Sequence, residues 1–309
     1  MIADILTQDD LTWVDVVNPT SEDAAELERR FHFHHLALEN VTHKHQRPKL
    51  DEYPGYSYVV LYAIRPHSDH RHASTSELQF FWGRTVLVTI HPQPFPEVDD
   101  LINRARDGAL PPIVDAANRH LETADIVYRI LDGVVDGYFP AVDALAEWTD
   151  DIEEQMFAGQ RRPQTLQTIF ALRKGLINVR KVVAPGREVI NGMLRHDQAL
   201  FDDVYYPYFQ DVYDHTVRVI DSLDTYRDLL GTALDTYVSI VSNDVNQTVK
   251  TMTAVTAILM VDALIPAIYG MNFKYIPELA WPLGYPYSLF LMVAATLLLT
   301  LIFRRIRWL

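Results

Sequence analysis

The sequence predicts a two-part membrane protein of the α+β class, a soluble region followed by a C-terminal hairpin of two membrane-spanning helices. Three observations predict it. At 309 residues the chain is long for one simple domain. Residues 251–303 are almost wholly apolar, whereas residues 1–249 have the mixed composition of a soluble protein. Charge divides at the same place. Residues 1–249 hold 22 of the 27 basic and 39 of the 41 acidic side chains, a net charge of −17.

Taken in order, Trp13-Val14-Asp15-Val16 reads as a short strand. Pro19-Thr20-Ser21-Glu22 then starts a helix, with hydroxyl residues to cap it and an acid in its first turn. Tyr56 to Ile64 is rich in Val, Tyr and Leu and suits a strand. Leu78 to Trp82 and Thr85 to Ile90 read as a hairpin turning at Gly83-Arg84. Residues 1–112 are therefore expected to be mixed α/β.

Residues 113–250 are expected to be long helices, beginning near Asp115. Ile126, Ile130, Val134, Val142 and Leu145 recur at helical spacing. Pro140 is expected to kink or divide that helix. Gly159 and Pro163 mark a turn, and a second helix runs to about Arg195. The hairpin tip between them is densely acidic: Asp143, Glu147, Asp150, Asp151, Glu153 and Glu154. That patch reads as a solvated face or a loose counter-ion reservoir. A third helix starts near Pro207 and meets no strong stop before Gly270, a length of roughly 95 Å.

The first span, Thr251 to Gly270, has one charged residue, Asp262. The second, Tyr287 to Phe303, has none. Both lengths suit a bilayer core of about 30 Å. Residues 251–309 thus form a transmembrane hairpin with an outer loop at 271–286. Lys250 precedes the first span, and Arg304, Arg305 and Arg307 follow the second, while the loop holds only Lys274. The positive-inside rule puts both ends in the cytoplasm. Met1-Ile2-Ala3-Asp4 has no basic stretch leading into an apolar run, so no cleaved leader is expected and residues 1–250 form the cytosolic domain. Trp281, Tyr285 and Tyr287 stand where an interfacial aromatic belt would lie. Two helices cannot enclose a polar path, so a pore would need several subunits.

Composition also excludes classes of function. The acidic soluble part lacks the basic footprint that nucleic acid requires, but it is compatible with attracting cations. No cysteine is present, which excludes disulfides and thiolate metal sites. No phosphate-cradling glycine loop, nucleophile elbow or zinc-protease helix occurs, so an enzyme is not expected.

Tyr269-Gly270-Met271-Asn272-Phe273, at the outer end of the first span, resembles the signature of the CorA family of magnesium/cobalt transporters. Pro277-Glu278-Leu279, Trp281 and Gly284-Tyr285-Pro286 resemble that family's outer loop, and Tyr208 to His215 its stalk. Gln46-Arg47-Pro48-Lys49 and the strand from Leu87 to His91 resemble its N-terminal domain. The resemblance implies a homopentameric funnel in the inner (plasma) membrane. It also implies an α/β/α cytosolic domain, a stalk helix that continues into the membrane and lines the pore, and an outer ring of second helices. Mg2+ would be both cargo and regulator, Co2+ and Ni2+ would also pass, and no organic cofactor is implied.

The resemblance assigns Gly270, Met271 and Asn272 to the selectivity filter and Glu278 to the ion-attracting mouth. Helical steps back from Gly270 give Ala267, Ala263, Met260, Thr256, Met252 or Thr253, Val249 and Asn246 as the pore-lining stripe, with Met252 and Met260 as its narrow points. Asp211 matches the family's regulatory stalk aspartate, and Glu77 is the expected partner carboxylate from a neighbouring subunit. Two residues depart from the pattern. Asp262 puts a carboxylate in mid-membrane, free to face a neighbouring subunit, carry a proton or bind an ion, and Pro266 replaces a small residue and is expected to kink the helix. The histidines His32, His34, His35, His43 and His45, and His67, His70 and His72, keep a zinc-transporting relative open. A two-span sensor or scaffold without transport is the reading from another class.

Overall fold

The computed structural model describes residues 1–8, 11–43, 46–66, 73–114, 120–157, 163–195, 200–272, 274 and 276–309. Six strands, β1 (Ile2–Gln8), β2 (Leu11–Val17), β3 (Lys49–Tyr53), β4 (Tyr56–Pro66), β5 (Ala73–Gly83) and β6 (Val86–His91), form one sheet in the order β1-β2-β6-β5-β4-β3. β2 and β6 run parallel, and the other neighbours are antiparallel. The hairpin joining β3 to β4 turns at Pro54-Gly55. Gly55 has φ +87°, as the third position of a type II turn requires.

Side-chain alternation gives the sheet two buried faces. Val14, Val16, Tyr58, Val60, Tyr62, Phe81, Val88 and Ile90 share one face. Leu27 of α1 (Ser21–Phe31) and Ala37, Leu38 and Val41 of α2 (His35–Thr42) pack against it. Thr20 caps α1 in a reciprocal box with Asp23, the start that the sequence predicts. α3 (Pro96–Arg106) follows β6 and packs against β1 and α4 (Thr123–Asp136). α4, α5 (Tyr138–Phe157) and α6 (Pro163–Leu194) pack against β4. The Tyr138 hydroxyl donates to the Tyr62 carbonyl at 2.7 Å. The soluble part is thus α/β/α.

α7 runs from Tyr206 to Tyr269 as one helix of 64 residues, and α8 spans Gly284–Arg305. A short 3-10 turn at Pro277–Ala280 stands between them. The described chain forms two compact units, Met1–Thr232 and Ala233–Leu309, a cut that falls inside α7, upstream of the membrane boundary expected at residue 250. α7 continues through Pro266 as α6 continues through Pro185. The division expected at Pro140 falls at Gly137, between α4 and α5. Pro140 lies in the first turn of α5, where an absent N–H leaves no helical bond unmade. The predicted turn at Gly159 and helix start at Asp115 lie outside the described residues.

A polar network lies between β2 and β6. Thr89 donates to Asp15 at 2.6 Å and Trp13 donates to Thr89 at 3.2 Å. The His91 ring places Nε2 3.1 Å from Asp15 and Nδ1 2.5 Å from the Gln93 carbonyl. Both ring nitrogens face acceptors, so the imidazolium, with two donors, satisfies them and a neutral ring does not. Burial pushes His91 down, but the Asp15 hydrogen bond and charge outweigh it and raise it above the ordinary range. A raised folded value means the stabilisation is complete below about pH 6.5, the unfolded value, and is lost as pH climbs through the folded one. Replacing His91 by Gln should therefore lower the melting temperature most at mildly acid pH, by the equivalent of about 1.5–3 kcal/mol for a bond to a charged group. The deficit should shrink in alkaline buffer. A deficit that grows with pH would exclude the ion pair.

Candidate functional site

The first constellation forms where α4 meets the start of α7. Asp125 is buried in the first turn of α4. It accepts the Glu122 and Ile113 backbone N–H groups and the Tyr205 hydroxyl, the last at 2.9 Å. Phe209, one turn into α7, stacks on Trp82 and Phe201 with ring centroids 5.6 and 4.7 Å away. These contacts fix the register of the two helices. One helical spacing then repeats on each: Asp132 and Asp136 on α4, Asp211 and His215 on α7.

Ligand atoms of Asp132, Asp136 and His215 all lie within 4.8 Å of one another. The His215 ring sits between two carboxylates, with Nδ1 3.9 Å from Asp136 and Nε2 3.6 Å from Asp211. Nδ1 is buried and has no hydrogen-bond partner. Burial holds the Asp132 carboxyl above its usual range, and the charge on Asp136 adds to this. Two carboxylates that repel each other beside an unpartnered imidazole nitrogen make a donor set suited to a divalent cation. Sequence reading singled out Asp211 but missed Asp132, Asp136 and the role of His215. The available signal was the matched pair of four-residue spacings, which means nothing until the two helices are known to face each other.

Glu77 is elsewhere. It is 6% exposed, and its carboxylate accepts from Tyr62 at 3.0 Å and Gln79 at 2.7 Å within its own chain. Its position on β5 turns it into the core rather than toward a neighbour. This corrects the expectation that it is offered as a partner carboxylate to Asp211.

The second constellation is the membrane half of α7. Thr251, Ala254, Ile258, Asp262, Ile265 and Tyr269 are buried or half-buried, at the three- and four-residue spacing of a single helical face. That face turns toward the C-terminal segment: Thr251 donates to the Trp308 carbonyl at 3.0 Å, and Asp262 accepts from Thr296 of α8 at 2.7 Å. The sequence-derived stripe is separate from it. Asn246, Val249, Met252, Thr253, Thr256, Met260, Ala263 and Ala267 are all exposed in the single chain. At 100° per residue the stripe centres roughly opposite the shielded face on the helix. Asp262 therefore faces α8 and lies off the stripe.

At the helix end, the Gly270 N–H donates to the Pro266 carbonyl at 2.8 Å, and Met271 and Asn272 follow, both exposed. A Cβ on Gly270 would come within 3.2 Å of that carbonyl, so glycine eases the last turn. Phe273, the last residue of the signature, lies outside the described residues. Glu278 is half-buried in the 3-10 turn. Its carbonyl would lie 2.3 Å from a Cβ at Gly284, so only glycine lets α8 begin this close to the loop.

The described histidines near α1 and α2 have local duties. His32 closes α1 in the left-handed region at φ 57°. His34 accepts the Leu36 N–H at the start of α2, and the His43 ring lies 2.6 Å from the Glu39 carbonyl. Among the described residues they form no metal-ligand group. His45, His67, His70 and His72 lie outside the described residues.

Residues 8–305 match the family model described as CorA-like Mg2+ transporter protein. The chain is 29% identical over 303 residues to the cobalt/magnesium transport protein CorA of Thermotoga maritima, covering 96% of this chain and 83% of that one. It is 33% identical over 287 residues to the putative metal ion transporter YfjQ of Bacillus subtilis, covering 91% and 85%. The complete structure of the CorA magnesium transporter from Methanocaldococcus jannaschii superposes with a TM-score of 0.82 at 25% identity, covering 99% of this chain and 95% of that one.

The carboxylate repulsion at Asp132 has a sign that can be measured. Without divalent ions, Asp132→Asn should melt slightly above the native protein near neutral pH. The gain should vanish as acid protonates Asp132. A lower melting temperature for the variant would show that Asp132 does not sit under repulsion.

Proposed function

The chain belongs to the family of CorA-like Mg2+ transporter proteins, and from that premise we propose that it passes Mg2+ and Co2+ across a membrane through a pore lined by α7 of several copies. One observation carries this reading. The stripe from Asn246 to Ala267 is left bare on one face of α7, while the opposite face is shielded within the chain. A helix with one face covered and a separate face of Thr, Ala, Met and Asn left uncovered is built to meet further copies of itself around an axis. Five copies, as the family resemblance implies, would close such a ring.

At the outer end, the Asn272 carboxamides of the ring would accept hydrogen bonds from the waters of a hydrated cation. Mg2+ gives up its waters reluctantly, so reading the hydrated ion with neutral dipoles avoids that cost and does not trap a dication. Gly270 brings its carbonyl to the same ring. Glu278 would raise the local cation concentration. Below the filter the bare face is largely apolar, and Met252 and Met260, 65% and 67% exposed in the single chain, would form constrictions that close by dewetting. The basic cluster after α8 supports cytoplasmic ends in an inner membrane.

Asp132, Asp136 and His215 would hold the regulatory ion. Asp211, on the far ring nitrogen, would orient the imidazole as an outer-shell carboxylate does in metal sites. The imidazole favours Co2+ or Ni2+, whereas Mg2+ would bind mainly through the carboxylates and its own waters. An ion that binds the closed assembly more tightly stabilises it, and its loss when cytosolic Mg2+ falls favours opening.

Reconstituted in liposomes with a magnesium-sensitive dye, the protein should take up Mg2+. Asn272→Ala should slow uptake by about tenfold, the effect of losing about 1.4 kcal/mol of ion recognition. No uptake, or the same uptake from the variant, would overturn the channel reading. Comparing Mg2+, Co2+, Ni2+ and Zn2+ in that assay fixes the cargo.

His215→Ala and Asp211→Ala should each leave transport active but less inhibited by internal Mg2+. Both should also reduce the rise in melting temperature that Co2+ gives the native protein. Unchanged inhibition and an unchanged Co2+ response would remove the site from regulation.

A further inference from the structure

Asp262 is the one charged residue between Lys250 and Lys274, and α8 offers none between Gly284 and Arg304. A carboxylate in mid-membrane is costly, so its surroundings need an explanation. In the structure its Oδ2 accepts from the Thr296 hydroxyl at 2.7 Å, while Oδ1 is buried and has no partner. Thr296 is therefore the donor that offsets the burial of this group. Losing it would leave the carboxyl without the one bond that its placement provides.

The residues flanking this pair on the shielded faces of the two helices are largely apolar: Ile258 and Ile265 on α7, Met292 and Leu299 on α8, all half-buried. Lipid tails are as apolar as these side chains, so apolar contact alone gives little preference for one rotation of a membrane helix over another. A directional bond between two specific residues supplies that preference, much as a single polar residue sets register in a coiled coil. Its direction also matters. With Asp262 held toward α8, the stripe of Thr256, Met260 and Ala263 is turned to the other side of α7.

We propose that Asp262 and Thr296 are a positioning pair for transport, a rotational lock that holds the ion-facing stripe of α7 toward the pore. This rests on the reading of that stripe as the pore lining. Asp262 does not touch the ion. It acts through the orientation of the helix that does.

The chain contains no cysteine, so an introduced thiol reports its own surroundings. Thr256→Cys on the stripe and Ile258→Cys on the shielded face should differ sharply in liposomes, the first reacting with a water-soluble thiol reagent severalfold faster. Thr296→Val and Asp262→Leu, each added to both thiol variants, should bring the two rates toward parity and weaken discrimination between Mg2+ and Co2+. Asp262→Asn, whose amide oxygen still accepts from Thr296, should keep the contrast. If the contrast survives both Thr296→Val and Asp262→Leu, the lock is wrong while the pore reading stands. If Thr256→Cys is unreactive in the otherwise native protein, the pore reading fails and the lock falls with it.

Discussion

Two membrane helices cannot enclose a path for a hydrated ion. A chain whose described residues supply two spans would, in the proposed pore, leave part of its lining helix without partners. The membrane half of α7 meets this constraint with one face shielded and another bare. In a soluble protein an exposed row containing Val249, Met252 and Met260 would be a liability. On a helix proposed to meet further copies of itself, it would be an interface left open. α8 fits the same account. It is apolar around its whole circumference, with no buried residue in the single chain, as suits a helix whose solvent is lipid.

The soluble unit works under a different constraint, because its charges are solvated and must be brought together by the fold. Net acidity favours cations in general but selects no site. Selection comes from the contacts that set α4 against α7: Asp125 with Tyr205, and Phe209 with Trp82. Once these fix the register, Asp132, Asp136 and His215 converge without further backbone specialisation. Burial first, and the Asp136 charge second, hold the Asp132 carboxyl above its usual range, so the cluster disfavours its own negative charge. A site that is strained without a cation and relieved by one can couple ion concentration to assembly.

Legibility in the sequence followed the range of the interaction. Local signals were readable: the Thr20 cap, the β5–β6 hairpin, the starts of α6 and α7, and the two spans. The edge strands β1 and β3 were not, because half-exposed segments such as Lys49-Leu50-Asp51-Glu52-Tyr53 carry charges that blur alternation. A stripe at helical spacing could be drawn on α7 from the sequence because it lies on one helix, and its residues are exposed in the single chain. The cation cluster was not, because it joins α4 to α7 across about 80 residues of chain. Glu77 failed for a related reason. A charged residue at the start of an apolar strand looks exposed, and only the cross-strand pairing of Tyr62 with Glu77 reveals that its carboxylate is claimed inside the core.

Asp262 and Glu77 together show how the medium decides what a carboxylate does. Both are poorly exposed and both accept from side chains of their own chain. Glu77 accepts from Tyr62 and Gln79, and its strand is held by pairing with β4 on one side and β6 on the other. Asp262 has one donor among the described residues, and around it the packing between helices is weakly directional because lipid competes on equal terms with the partner helix. The same kind of bond is therefore incidental to position in the soluble core and, in the proposed lock, decisive for it in the membrane. The residue that departs from the family pattern is thus best understood through the helix it orients, and in the proposed pore the ion would meet the result of that orientation at Thr256, Met260 and Asn272.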